Sequence, residues 1–255
     1  MEMPSTTMPR KAALSRTTQE ENDAAAAGGI PQHPETGKKA AKKGTASLDD
    51  LARTALKAFL IARDAASNVP DLFTQSSRMA FLAIKECEQE LDVIERYIDE
   101  RTPAAITRVN ETRARQLLTS LKCTTDLERI GDLVMSMAMR VQARTEKMAA
   151  SDVRQLVEMS AILREMLDLV YRGFVDLDLE RARKVLQMDK DIDRVCHGLF
   201  QKHLTEHANP SSFEVLLMAQ ALERAGDHTT NLAEDLYSLI EGRSLRHAPK
   251  KRAAT

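Results

Sequence analysis

The sequence predicts an all-α fold: two tandem three-helix bundles behind a disordered N-terminal tail. Three observations carry this reading. Turn-forming residues are scarce, because beyond residue 46 the chain has only five Gly and four Pro, whereas a β-sandwich or barrel turns about every 8–12 residues. Apolar residues recur at i+3 and i+4 over long stretches, the spacing of a helix face. The pattern of three such stretches then occurs a second time.

Residues 1–46 contain no Val, Phe or Tyr and are rich in Ala, Thr, Pro, Gly and Lys. Such a segment buries too little apolar surface to offset its ordering entropy, so it is expected to be disordered. The first repeat is placed at residues 47–148. Ser47 with Asp50 three residues later resembles a capping box, followed by Leu48, Leu51, Ala55, Phe59, Ala62 and Ala66 on one face. Pro70 breaks this helix. A second carries Ile84, Cys87, Leu91, Ile94 and Ile98 and is expected to stop before Pro103. A third carries Leu117, Leu121, Leu127, Ile130, Val134 and Met137. The second repeat is placed at 149–247. Ser151 is read as the cap of its first helix, which holds Leu156, Met159, Leu163 and Val170 and is interrupted at Gly173. The next runs through Val185, Ile192, Val195 and Leu199 to about His207. The turn is Asn209-Pro210, and the last helix runs from about Phe213 to Ile240, with Gly242 as its C-cap. Residues 248–255 form a basic tail.

The repeats align residue by residue. Glu88-Gln89-Glu90-Leu91-Asp92 lies on Asp189-Lys190-Asp191-Ile192-Asp193, and Leu127-Glu128-Arg129-Ile130-Gly131-Asp132 lies on Leu222-Glu223-Arg224-Ala225-Gly226-Asp227. Between the two matches the first repeat has six more residues. The recurrence includes a Gly in mid-helix, which costs about 1 kcal/mol relative to Ala. Gly131 and Gly226 therefore predict close approach of a neighbouring helix.

Each repeat carries two acid pairs at i, i+4: Glu88/Asp92 with Glu128/Asp132, and Asp189/Asp193 with Glu223/Asp227. That spacing puts both carboxylates of a pair on one helix face, where like charges repel by a few tenths of a kcal/mol. In the last helix Asn231 and Glu234 extend the stripe to about 80° of arc. An acidic stripe opposite an apolar one is also how any solvated helix face looks. Here, however, the +4 partners are not Lys or Arg, an amide lies in line with the acids, and antiparallel neighbours would bring both pairs of a repeat to one height. An all-oxygen cluster of this kind suits hard or borderline cations, Mg²⁺, Mn²⁺ or iron, divalent or trivalent. It does not suit structural zinc.

Glu128-Arg129-Ile130-Gly131-Asp132 and Glu223-Arg224-Ala225-Gly226-Asp227-His228-Thr229-Thr230-Asn231-Leu232-Ala233-Glu234 resemble the paired signature of the PhoU family, the phosphate-signalling accessory proteins of bacteria. The ending Glu241-Gly242-Arg243-Ser244-Leu245-Arg246-His247 is similar to that family's C-terminal signature. The resemblance covers about residues 47–247. It implies two PhoU-like three-helix repeats, multinuclear metal clusters on acidic faces, and a homodimer or higher oligomer. It also implies a non-enzymatic, cytoplasmic regulator that restrains the phosphate ABC transporter, through its ATPase subunit, and a sensor histidine kinase when phosphate is plentiful. The first repeat has Ser136 and Met139 where the second has Asn231 and Glu234, and a Met cannot replace a carboxylate for a hard cation. The second site is therefore expected to be the stronger.

Other classes fit less well. The net charge is −1, so no basic field favours direct nucleic-acid binding. No apolar run approaches the roughly 20 residues of a membrane span. Cys87, Cys123 and Cys196 are too widely spaced for a zinc site and read as reduced core thiols. A ferritin-like di-metal enzyme needs Glu-x-x-His pairs, and no Glu here has a His three residues later. A metal-free helical interaction scaffold stays open, its stripes facing a basic partner or only water.

Overall fold

The computed structural model describes residues 37–74, 77–205 and 210–243. They form six helices: α1 (Gly37–Ser67), α2 (Ser77–Ile106), α3 (Glu111–Ala143), α4 (Ala150–Asp176), α5 (Leu179–Thr205) and α6 (Pro210–Glu241), with a 3-10 turn at Pro70–Phe73. No strand occurs among the described residues. The tail at 1–36, the turn residues 206–209 and the basic segment from 244 onward lie outside them.

Helices α1, α2 and α3 pack on one another, as do α4, α5 and α6. The two bundles meet through α1 against α4 and α3 against α6, which leaves α2 and α5 as the outer helix of each. The heptad-like apolar stripes explain this. Leu51, Ala55, Ala58, Phe59, Ala62 and Ala65 line the inner face of α1, all at 4% exposure or less. Their small Ala side chains let α1 lie between its own bundle and α4. Phe59 meets Phe174 of α4 with ring centroids 5.2 Å apart, an aromatic pair worth about 1 kcal/mol beyond its buried area. Leu127, Ile130, Val134 and Met137 on α3, and Leu222, Ala225, Leu232 and Leu236 on α6, are completely buried. Burying each Leu, Ile, Val or Met contributes roughly 1.5–3 kcal/mol.

Several helix boundaries differ from those the sequence predicts. α1 begins at Gly37, ten residues before Ser47, so Ser47 lies within the helix and is not its cap. α2 continues through Pro103 to Ile106. Pro103 sits in the last turn, where it withholds one donor, from the Asp99 carbonyl, and only three residues of helix follow it; Thr102 Oγ1 donates to the Ile98 carbonyl at 2.7 Å. α4 starts after Ala149, with no side-chain cap, and Ser151 falls in its first turn. Gly173 does not interrupt α4. It accepts the closing N–H bonds of Leu177 and Asp178, and Leu177 ends the helix in the left-handed region (φ 52°). α3 is capped by Asn110, whose side chain accepts the Arg113 N–H at 3.0 Å. Gly242 does close α6, with φ +71° and its N–H on the Ser238 carbonyl at 3.1 Å. The six extra residues of the first repeat form no loop. The gaps between α2 and α3, and between α5 and α6, are equally short, so the extra residues lengthen the α2–α3 hairpin itself.

Candidate metal centres

Both acidic sets lie where an outer helix crosses an inner one, and a glycine sets the closeness of each crossing. A Cβ on Gly131 would stand 2.6 Å from Leu91 Cδ1 and 3.8 Å from the Glu88 Cα. A Cβ on Gly226 would stand 3.1 Å from Ile192 Cδ1 and 3.8 Å from Asp189 Oδ1. Leu91 and Ile192, and Glu88 and Asp189, are equivalent in the two repeats. The duplication therefore extends to the contact itself: a bare helix surface on α3 or α6 receives the apolar neighbour of the acid on α2 or α5.

In the first crossing, Glu88 and Asp92 come from α2, and Glu128 and Asp132 from α3. Burial pushes Glu128 up to about 7, reinforced by Asp132, Glu95 and Asp92 and opposed by Arg129. Glu88 is raised by burial and then by Asp92 and Asp132, with Lys85 opposing. Glu95 extends the α2 stripe by one turn and faces Glu128, a position the sequence reading stopped short of. Its spacing, three residues after Asp92, was a legible signal. Glu128 Oε2 is buried without a hydrogen bond among the described residues. Arg129 Nε is 3.5 Å from it, and Arg129 Nη1 is 3.6 Å from Asp132 Oδ2. Arg129 thus supplies a counter-charge at +1 from Glu128 and −3 from Asp132, positions outside the i,i+4 spacing.

In the second crossing, Asp189 and Asp193 come from α5, and Glu223 and Asp227 from α6. Asp189 is pushed up to about 6 by burial, then by Asp193 and Asp227. Glu223 is raised by burial and by Asp227, Asp193 and Asp189 in turn, with Arg224 opposing. Asp227 is raised by burial and Asp193, with His228 and Arg224 opposing. These four carboxylates are neighbours in the way the antiparallel arithmetic predicts.

Asn231 and Glu234 are placed differently. Asn231 Nδ2 donates to Asp126 Oδ1 of α3 at 3.2 Å, and His228 Nδ1 lies 2.8 Å from the same oxygen. Both therefore face the seam between the bundles. Glu234 stands half-buried, two helical turns beyond Asp227. The Asp126–His228–Asn231 cluster was not legible in the sequence, because only the docking of one bundle on the other brings it together.

Among the described residues, no three His, Cys, Asp or Glu side chains stand close enough together to enclose a metal ion. The carboxylates flank each crossing without forming a closed shell. The donor set nonetheless fits a hard cation. It is all oxygen, and its members are held above their ordinary pKa by burial and mutual repulsion. That is an excess of negative charge which a cation would relieve. Of the thiols, Cys123 and Cys196 are buried and Cys87 is half-buried, and none of the three is in a disulfide among the described residues.

A duplicated three-helix unit, with a matching carboxylate set at each glycine-tightened crossing, defines a class of tandem-repeat helical proteins. The PhoU domain model matches residues 48–141 and 156–236, one stretch on each bundle. The chain belongs to the PhoU family. It is 30% identical over 165 residues to the phosphate-specific transport system accessory protein PhoU homolog of Rhizobium meliloti, covering 60% of this chain and 68% of that one. It is 26% identical over 198 residues to phosphate-specific transport system accessory protein PhoU of Serratia marcescens, covering 74% and 80%. The fold matches the crystal structure of PhoU from Pseudomonas aeruginosa with a TM-score of 0.68 at 22% identity, covering 78% of this chain and 99% of that one. It matches the phosphate transport system regulatory protein PhoU from Streptococcus pneumoniae with a TM-score of 0.70 at 19% identity, covering 79% and 99%.

Proposed function

We propose that this protein is an accessory regulator of phosphate-specific transport. It restrains the phosphate ABC transporter, through its ATPase subunit, and a sensor histidine kinase when phosphate is plentiful. It acts at the cytoplasmic face, as a homodimer or higher oligomer, and carries out no reaction of its own. The relatives are named as accessory proteins of that transport system, and the family match spans both bundles. The observation that carries the metal part is the repetition of one carboxylate-and-glycine geometry at the Gly131 and Gly226 crossings.

In this reading Glu88, Asp92, Glu128 and Asp132 hold metal in the first repeat. Asp189, Asp193, Glu223 and Asp227 hold it in the second, with Asn231 and Glu234 at its edge. Iron, manganese or magnesium would supply positive charge that ties an outer helix to an inner one. The second site is the stronger in this reading, because it has Asn231 and Glu234 where the first has Ser136 and Met139, and because Arg129 stands within ion-pair distance of Glu128 and Asp132 in the first. That same contact favours a metal-free surface at the first crossing.

Elemental analysis of purified protein, with thermal melts in EDTA and with added Mn²⁺ or Mg²⁺, tests the metal part. A native-state ligand raises the melting point by mass action, so an unchanged melt and no bound metal would discard it. Asp227→Ala is expected to remove more metal than Asp132→Ala. The regulatory part is tested separately, by capture of the transporter ATPase subunit from cells grown with abundant and scarce phosphate.

A further inference from the structure

Two cavities share Ser211, in the first turn of α6, as a lining residue. One, of about 570 Å³, lies between the end of α3 and the start of α6 and is lined by Arg140, Arg144, Ser211 and Glu214. The other, of about 180 Å³, lies where α4 begins, α5 ends and α6 begins, and is lined by Asp152, Lys202, His203, Ser211 and Ser212. The site is about 18 Å along α6 from Glu223, at 1.5 Å per residue.

Most of the charge here is already matched. Arg140 Nη1 is 3.3 Å from Glu214 Oε2. Lys202 Nζ is 2.6 Å from Asp152 Oδ1 and 2.9 Å from Ser151 Oγ. Glu146, the remaining acid on the wall, is exposed. Two side chains are left over. Arg144 Nη2 donates to Ser211 Oγ at 2.6 Å, but its Nε is buried without a hydrogen bond among the described residues. His203 is 6% exposed, and neither of its buried ring nitrogens makes a hydrogen bond among the described residues. Nε2 is 3.3 Å from Asp152 Oδ1, within ion-pair distance but out of line for a hydrogen bond.

Buried polar groups are rarely left without partners, and the identity of these groups defines the missing one. A guanidinium Nε–H only donates, so its partner is an acceptor and not a cation. The start of α6 adds backbone N–H groups and the positive end of the helix dipole, and its first turn holds no acid. Ser211 joins the Arg144 wall to the His203 wall. We propose that Arg144, His203 and the Ser211–Ser212 start of α6 form a binding site for a small tetrahedral oxyanion, inorganic phosphate being the ligand. The oxyanion chemistry stands whether or not the carboxylate crossings hold metal. Phosphate as the physiological oxyanion rests on the regulatory reading above.

The test is calorimetric titration of inorganic phosphate into the full chain in EDTA, at constant ionic strength, with chloride and sulfate as comparison anions. Saturable phosphate binding is expected, absent with chloride and competed by sulfate. Arg144→Gln and His203→Gln are each expected to weaken it about tenfold, as for loss of a hydrogen bond to a charged group. Arg172→Gln, about 30 Å along α4 from Asp152 at 1.5 Å per residue and paired with Asp168, should leave it unchanged. Should a variant fail to fold, the His203 ring ¹⁵N resonances of the wild-type protein decide, since they must move as phosphate saturates. No saturable binding at millimolar phosphate, or binding that both variants retain in full, overturns the proposal. Sulfate binding without phosphate binding overturns the phosphate assignment. None of these results bears on the acidic crossings, which are read by metal content.

Discussion

Glu128→Gln is expected to stabilise the metal-free protein at alkaline pH and to do nothing in acid. Burial and the neighbouring carboxylates raise Glu128 from 4.5 to about 7 in the folded state. Between those values the native protein holds a proton that the unfolded chain releases, so stability falls as pH rises through the window. Below 4.5 the group is protonated in both states and costs nothing. Above 7 it is ionised in both, and the full penalty applies. At about 1.4 kcal/mol per unit the raise corresponds to roughly 3.5 kcal/mol as an upper bound. The Glu128 side chain is 12% exposed, but Arg129 beside it is 57% exposed, so water and salt screen a good part of this. We expect a gain of about 1–2 kcal/mol at pH 8 in EDTA. Urea unfolding at pH 8 and pH 4.5 measures it, with the gain vanishing at the lower pH. A variant no more stable than wild type at pH 8, or a gain of equal size at both pH values, would refute the electrostatic account of this crossing.

Other perturbations follow from the same contacts. Gly131→Ala and Gly226→Ala each gain about 1 kcal/mol of helix propensity. At 131 the new methyl meets Leu91 Cδ1 at 2.6 Å, against 3.1 Å to Ile192 Cδ1 at 226. Overpacking costs about 1–3 kcal/mol, so the 131 variant should be the less stable, and the reverse order in denaturant melts would contradict the packing argument. Asn110→Ala removes the acceptor for the Arg113 N–H and should cost about 1 kcal/mol, read by urea unfolding. Burial, then nearby carboxylates, push the Cys87 and Cys196 thiols up to about 11. Disulfide-exchange reagents should therefore titrate the native protein slowly at pH 8 and rapidly after unfolding. Fast native reaction at Cys196 would count against its burial.

The helix faces and the duplication were legible because both depend on local spacing. Gly131 and Gly226 were read correctly as points of close approach, since a Gly kept twice in mid-helix has few other physical reasons. Boundaries were less legible. Ser47 and Ser151 look like caps in sequence, but a Ser is also tolerated inside a helix whose buried face supplies the stability. Pro103 looks like a stop, yet it removes a single backbone bond, to the Asp99 carbonyl, and the helix ends three residues later. In the acidic sites the α2–α3 and α5–α6 pairings followed from antiparallel arithmetic. The turning of Asn231 toward Asp126 did not, because it depends on how α3 and α6 meet across the seam. Arg144 and His203 carry no sequence signal at all; their burial comes from three helix ends converging.

The near-identity of the two glycine crossings poses a problem of assembly. α3 and α6 offer almost the same bare groove, and α2 and α5 present almost the same apolar ridge to fill it. Exchanged partners would satisfy much the same contacts, within one chain or between two. What separates right from wrong pairing is chain length: α2 and α3 are joined across residues 107–110, and α5 and α6 across 206–209. Closing so short a connection costs far less entropy than reaching across the other repeat. Each hairpin therefore pairs with itself before the bundles dock. Shortening either connector until it can no longer close is the change that would open this fold to exchange of helices between molecules, the characteristic misassembly of repeat proteins.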